Sequence, residues 1–182
     1  MTGDGPAGLA QAVVAGLVTA GRTVATAESL TGGLLCATLV DVPGASAVVR
    51  GGVVAYATEL KASVLGVDVG ALDRTGPVDG VVAEQMARGA RRVLRADVGL
   101  ATTGVAGPGP ADGFPAGTVF VAIAADELPG GARHVRLDVP GDRPSVRRET
   151  VRAVLAELLP LLPATGWGAA GEGEEQEPSP GS

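Results

Sequence analysis

Two residues in this chain occur once each and lie five positions apart. Lys61 is the only lysine among 14 basic residues, and Tyr56 is the only tyrosine. A guanidinium stays protonated and is a poor proton acceptor, whereas a lysine amine can be tuned to act as a base. If the chain performs base chemistry with a side-chain amine, Lys61 must carry it. The matching nucleophile is Ser29, in the stretch Thr26-Ala27-Glu28-Ser29-Leu30-Thr31-Gly32-Gly33. There an extended run over 22–25 gives way to a helical run over 34–40. A serine with a lysine base is a known arrangement for acyl transfer. Ser29 would attack a carbonyl and Lys61 would take its proton. Tyr56 would relay that proton or orient the amine. Backbone N–H groups over Thr31, Gly32 and Gly33 would hold the oxyanion. The two glycines leave the backbone open to a ligand, and the first turn of a helix offers free N–H donors to phosphate, carboxylate or oxyanion. The same residues also make an ordinary capped helix start, with Ser29 or Thr31 as N-cap.

Other chemistries find less support. His134 is the only histidine. It lies in an alternating run, 133–137, on the Arg136 face, and is expected in solvent, so a Ser-His-Asp triad is not expected. No Gly-x-Ser-x-Gly pattern surrounds Ser29. Cys36, the only cysteine, excludes an intrachain disulfide and a cysteine-based metal site. Neither metal nor cofactor is expected. Net charge is −6 and there is no long basic run, which argues against nucleic acid as a partner. No signal-peptide pattern and no membrane-spanning apolar stretch is visible, so the expected location is cytoplasmic, with no membrane partner. The Gly/Pro loop from Thr103 through Gly104 and Gly107 to Gly109 can expose backbone donors to a phosphate. It is neither a Walker loop nor a dinucleotide fingerprint. Arg143 adds a cation before a helix start, either for phosphate or as a plain surface residue. Glu28 reads as a charge partner of Lys61 or as a solvated residue.

These groups need a frame. Hydrophobic residues make up 46% of 182, but aromatics only 2%, so the core must be Val, Leu and Ala. Helical periodicity predicts helices over 8–20, 34–40, 58–65, 81–95 and from Pro144 to about Leu159. The 58–65 helix is expected to start on Thr58 as N-cap, which puts Lys61 at its third position, where the helix dipole opposes a cation. Arg88, Arg91, Arg92 and Arg95 are expected to form a solvated face. Strands are predicted over 23–27, 48–56, 97–103, 118–125 and 133–139, with a bulge or close approach at Gly51-Gly52. Residues 72–79 read as a loop. Alternating elements followed by two adjacent strands give an α/β fold, a three-layer α/β/α sandwich with a mixed β-sheet. One domain over 8–160 is expected, with flexible termini at 1–7 and 163–182.

Several motifs occur in one order: Ala27-Glu28-Ser29-Leu30-Thr31-Gly32-Gly33, Pro43-Gly44-Ala45-Ser46, 52–61 ending in Tyr56-Ala57-Thr58-Glu59-Leu60-Lys61, Thr103-Gly104-Val105-Ala106-Gly107-Pro108, Gly117-Thr118-Val119 and Pro140-Gly141-Asp142-Arg143. Over roughly 8–160 this resembles the CinA C-terminal domain family, whose characterised enzymes are nicotinamide-nucleotide amidohydrolases. The resemblance implies Ser29 as nucleophile with Lys61 and Tyr56, and substrate-site roles for Ser46, Thr103 and Arg143. It implies hydrolysis of the carboxamide of nicotinamide mononucleotide to nicotinate mononucleotide and ammonia, without a metal, in pyridine-nucleotide recycling. It implies a homodimer or larger assembly and, since the family's longer members carry a separate N-terminal domain, a stand-alone form. Two positions depart from the family pattern: Val78-Asp79 stands where many relatives have Val-Ser, and Gly51 stands where many have arginine. A non-catalytic nucleotide-binding module, or a hydrolase of a different amide, would use the same loops.

Overall fold

The computed structural model describes residues 5–163. Its elements are α1 (Pro6–Ala20), β1 (Val24–Glu28), α2 (Leu34–Val40), β2 (Val49–Val54), α3 (Thr58–Ser63), α4 (Val69–Thr75), α5 (Gly80–Leu94), β3 (Val98–Gly104), β4 (Thr118–Ala124), β5 (Ala132–Asp138) and α6 (Arg143–Leu158). One sheet runs in the order β2-β1-β3-β4-β5. β1 is parallel to both β2 and β3, whereas β3/β4 and β4/β5 are antiparallel. The sheet is therefore mixed, as the element order requires. The three parallel strands β2, β1 and β3 end on the same edge, where crevices for ligands form in such folds.

Helices cover both faces. On one side α1, α2 and α6 pack Val13, Leu17, Leu35, Leu39, Val154 and Leu155 against Leu100, Val121 and Ile123. On the other, α5 packs Ala83, Met86, Ala87 and Ala90 against Ala25, Ala27, Ala101 and Ala122. This second layer is built largely from small side chains, which lets the helix lie close on the sheet. The helix approaches so closely that a Cβ on Gly99 would meet the Ala87 carbonyl oxygen. Gly99→Ala should therefore cost about 1–3 kcal/mol, read as a lower urea midpoint at unchanged slope.

Several expectations are corrected. α1 begins at Pro6, with proline in its first turn, so residues 6 and 7 are helical; the rest of the N-terminal expectation (1–4), and the tail from 164, lie outside the described residues. Residues 69–75 form α4, which takes up the first part of the stretch 72–79 expected as a loop. Asp68 caps it by accepting the Ala71 N–H. Ala57, not Thr58, is the N-cap of α3. Gly51 lies at a register shift between β1 and β2 with φ +134°, a conformation that favours glycine over the arginine of many relatives. His134 faces α5, where Nδ1 lies 2.8 Å from Glu84 Oε1 and the ring stands edge-on to Phe120. The α5 arginines do not form a purely solvated face: Arg88, Arg91 and Arg92 reach Gly130, Asp126 and Leu65. No described helix is long and apolar enough to cross a membrane.

Candidate active site

Ser29 follows β1 directly, and its N–H continues the ladder by donating to the Thr102 carbonyl at 3.0 Å. The chain then turns sharply: the Gly32 N–H donates to the Ser29 carbonyl at 3.0 Å. The turn is held from beneath by Glu28. This carboxylate is fully buried and accepts the N–H groups of Gly33, Leu35 and Cys36 at 2.9, 3.0 and 2.8 Å. A buried carboxylate is tolerable here because the N-terminus of α2 supplies both the donors and a favourable dipole. Glu28 is thus neither solvated nor a partner of Lys61. From the far side Arg147, on α6, donates to the Leu30 and Thr31 carbonyls at 3.1 and 2.6 Å.

This changes the expected anion hole. The N–H groups of Gly33, Leu35 and Cys36 are spent on Glu28, and Gly32 and Leu34 are bonded within the turn. Ser29 and Thr31 do not cap α2, whose N-cap is Gly33. The Thr31 hydroxyl is buried against that of Thr102, at 2.7 Å. Thr31, Gly32 and Gly33 therefore shape the serine turn rather than line a binding site. Gly44 and Ser46 are also displaced. α2 carries the chain back across the sheet, and the single 3-10 turn Ala45–Ala47 sits where β1 and β2 begin, at the opposite edge from Ser29.

The remaining residues converge. A cavity of about 400 Å³ is lined by Ser29, Tyr56, Lys61, Thr103, Gly104, Gly107 and Arg143, with Leu30, Val78 and Asp112 among others. Lys61 comes from α3, which follows β2. Its side chain is buried, with Nζ donating to the Ala55 carbonyl at 2.8 Å and standing 3.2 Å from Ser29 Oγ. Burial lowers the amine's pKa from the ordinary lysine value, and the Asp112 and Glu59 carboxylates oppose that shift. Desolvation, more than the helix dipole, sets the direction, because a charged amine loses its hydration there. Lys61 sits in the last turn of α3, where the dipole favours a cation, so the dipole expectation is reversed.

Tyr56 bonds Arg143 rather than the Ser29–Lys61 pair. It is 61% exposed, and its hydroxyl accepts from Arg143 Nη2 at 2.9 Å; Arg143 Nη1 donates to the Gly107 carbonyl at 3.0 Å. Neither Ser29 nor Lys61 bonds to it. The tyrosine and arginine form a strap across the mouth of the cleft. The Thr103 hydroxyl donates to the Pro77 carbonyl at 2.6 Å and fixes one wall. Asp79 caps α5 by accepting the Val81 and Val82 N–H groups, the same work a serine would do, so that departure leaves the wall intact. The N–H groups of Leu30, Ala106 and Gly107, all on the lining, have no intrachain partner among the described residues. They are among the donors available to an oxyanion or phosphate. Among the described residues no group of three or more His, Cys, Asp or Glu side chains is arranged to hold a metal ion.

Glu28, Arg147 and Asp112 were not legible as site residues. Only Arg147 left a usable trace: it follows Arg143 by one helical turn, which puts both on one face.

The sequence model of the CinA C-terminal domain matches residues 7–162. A CinA-like protein of Frankia casuarinae is 49% identical over 169 residues, covering 90% of this chain and 38% of the relative. A putative competence-damage inducible protein of Desulforamulus reducens is 45% identical, covering 76% and 33%. The chain thus spans about a third of the length of these curated relatives. Two solved structures match nearly end to end. Competence/damage inducible protein CihA from Agrobacterium tumefaciens has a TM-score of 0.82 at 36% identity, covering 88% of this chain and 97% of that one. A CinA superfamily protein from Escherichia coli has a TM-score of 0.83 at 34% identity, covering 89% and 93%.

Proposed function

This chain belongs to the CinA C-terminal domain family, and on that premise we propose that it is an amidohydrolase that converts nicotinamide mononucleotide to nicotinate mononucleotide and ammonia. The observation that carries the reading is the buried Lys61 amine 3.2 Å from Ser29 Oγ in a cleft that also holds Arg143. A neutral amine at that distance can take the serine proton.

The steps follow from that pair. Ser29 Oγ adds to the carboxamide carbon while its proton passes to Lys61 Nζ. The oxygen, now negative, is met by the free main-chain N–H groups at Leu30 and in the Ala106-Gly107 loop. The C–N bond breaks as Lys61 returns the proton to the departing nitrogen, which leaves as ammonia. Water then gives a proton to Lys61 and attacks the acyl-serine ester. As the ester C–O bond breaks, Lys61 hands that proton to Ser29 Oγ, restoring the serine. The acid formed leaves as nicotinate carboxylate, with its proton passing to the ammonia released. Arg143 offers its guanidinium to the phosphate, exchanging its bonds to Tyr56 and Gly107 for charge-assisted ones.

The test is ammonia and nicotinate mononucleotide production by the purified protein. Turnover is expected, with kcat/KM rising with pH as Lys61 loses its proton. Because burial lowers the lysine pKa, the inflection should fall below about 10.4, the value of an exposed lysine. The same sign governs folding. The unfolded chain binds the proton more tightly, so stability rises with pH between the lowered folded pKa and the unfolded one. No ammonia at any pH would overturn the reading.

A further inference from the structure

The cleft is electrically two-ended. Its lining holds one carboxylate, Asp112, and one guanidinium, Arg143. The placement of Asp112 is built. Ala111 and Phe114 exchange backbone hydrogen bonds of 3.0 and 2.9 Å, closing a two-residue turn with Asp112 and Gly113 at φ +53° and +80°. Both central residues being left-handed marks a type I′ hairpin, in which an Asp-Gly pair is favoured. Phe114 anchors the arm by packing edge-on to Phe120, with ring centroids 6.4 Å apart. The Asp112 carboxylate has no hydrogen-bond partner among the described residues. It is nevertheless close enough to influence the Lys61 amine more than Glu59 does from Lys61's own helix.

A ligand that fits this arrangement presents an amide to Ser29, an anion to Arg143 and a positive charge to Asp112. Resting on the amidohydrolase reading above, we propose that Asp112 is a specificity-determining residue that recognises the positive charge of an N-substituted pyridinium ring. The cleft would then select nicotinamide nucleotides with a cationic ring over their 1,4-dihydro forms, whose ring is uncharged. A carboxylate facing a cation at the mouth of a partly desolvated cleft favours the charged ring by roughly three- to tenfold.

The test compares kcat/KM for oxidised and reduced nicotinamide mononucleotide in the wild type, Asp112→Asn and Asp112→Glu. Asparagine tolerates the left-handed conformation, so the turn survives the first change. Asp112→Asn should lose roughly three- to tenfold on the oxidised nucleotide and less than about twofold on the reduced one, with the difference shrinking as salt is raised. Asp112→Glu should retain the preference. Equal losses on both substrates, or no loss on the cation, would overturn the assignment. If the wild type releases ammonia from neither, the amidohydrolase reading fails and calorimetric Kd values for the two nucleotides decide the role of Asp112. A preference for the oxidised form that falls in Asp112→Asn upholds it; equal affinities, or no binding, overturn it.

Discussion

Lys61→Met is expected to lower kcat for ammonia release by about 10³- to 10⁴-fold, the range lost when a positioned base that activates a nucleophile is removed. The same variant should melt at the same temperature as the wild type or higher. Lys61 is 1% exposed, and its amine lies where charge is disfavoured. Methionine fills nearly the same volume without a group that needs hydration. The cost to offset is the Ala55 carbonyl, which loses its 2.8 Å donor, about 1 kcal/mol. Activity and stability should therefore separate. A variant that keeps more than a tenth of wild-type kcat would remove Lys61 from the mechanism. A large fall in Tm would instead make it a structural residue. Ser29→Ala should match Lys61→Met in kcat, and the double variant should lose no more than either single one, because nucleophile and base act as a unit.

Glu28→Ala should have the largest effect on folding. Removal of this carboxylate strands the N–H groups of Gly33, Leu35 and Cys36 beneath the serine turn. At about 1–3 kcal/mol for each buried unsatisfied group, with some relaxation, the loss is about 4 kcal/mol. For a domain of this size that is a fall in Tm of about 8–16 °C. Differential scanning calorimetry would read it directly. Glu28→Gln keeps one acceptor oxygen but turns an NH₂ toward N–H donors, so an intermediate loss is expected. An unchanged Tm in Glu28→Ala would mean that the α2 terminus does not depend on this cap.

These two residues also mark what could be read in advance. Lys61 stands out by elimination among the basic residues, and Ser29 by its place between a strand and a helix; both need only local pattern and composition. The strand and helix order, with two adjacent strands at the end, was enough for a mixed sheet covered on both faces. Glu28 was misread because its meaning lies in where α2 starts. A carboxylate at a strand end looks solvated until the helix N-terminus folds back over it. Ser46 lies apart from Ser29 in this chain for a related reason: the short α2 returns the chain to the opposite edge of the sheet, a fact of length and direction rather than of residue type. Tyr56 was placed in the right cleft with the wrong partner, since Arg143, 87 positions away, could not be set beside it from spacing. Residues 69–75 were hidden because α4 is short and takes its cap from Asp68, outside the stretch read as a loop.

The clamp of Arg147 on the serine turn carries a consequence for the newly made chain. Ser29 and Lys61 are 32 positions apart, but Leu30 and Arg147 are separated by 117. A ribosome delivers residues in order, so Ser29 and Lys61 emerge long before the helix that steadies the serine turn. The strand pairing and loop closure needed to bring α6 onto the turn come late and are slow to form. A nascent chain therefore holds both reactive groups without the geometry to use them. On the amidohydrolase reading proposed above, hydrolytic competence arrives with α6, after the rest of the sheet is in place.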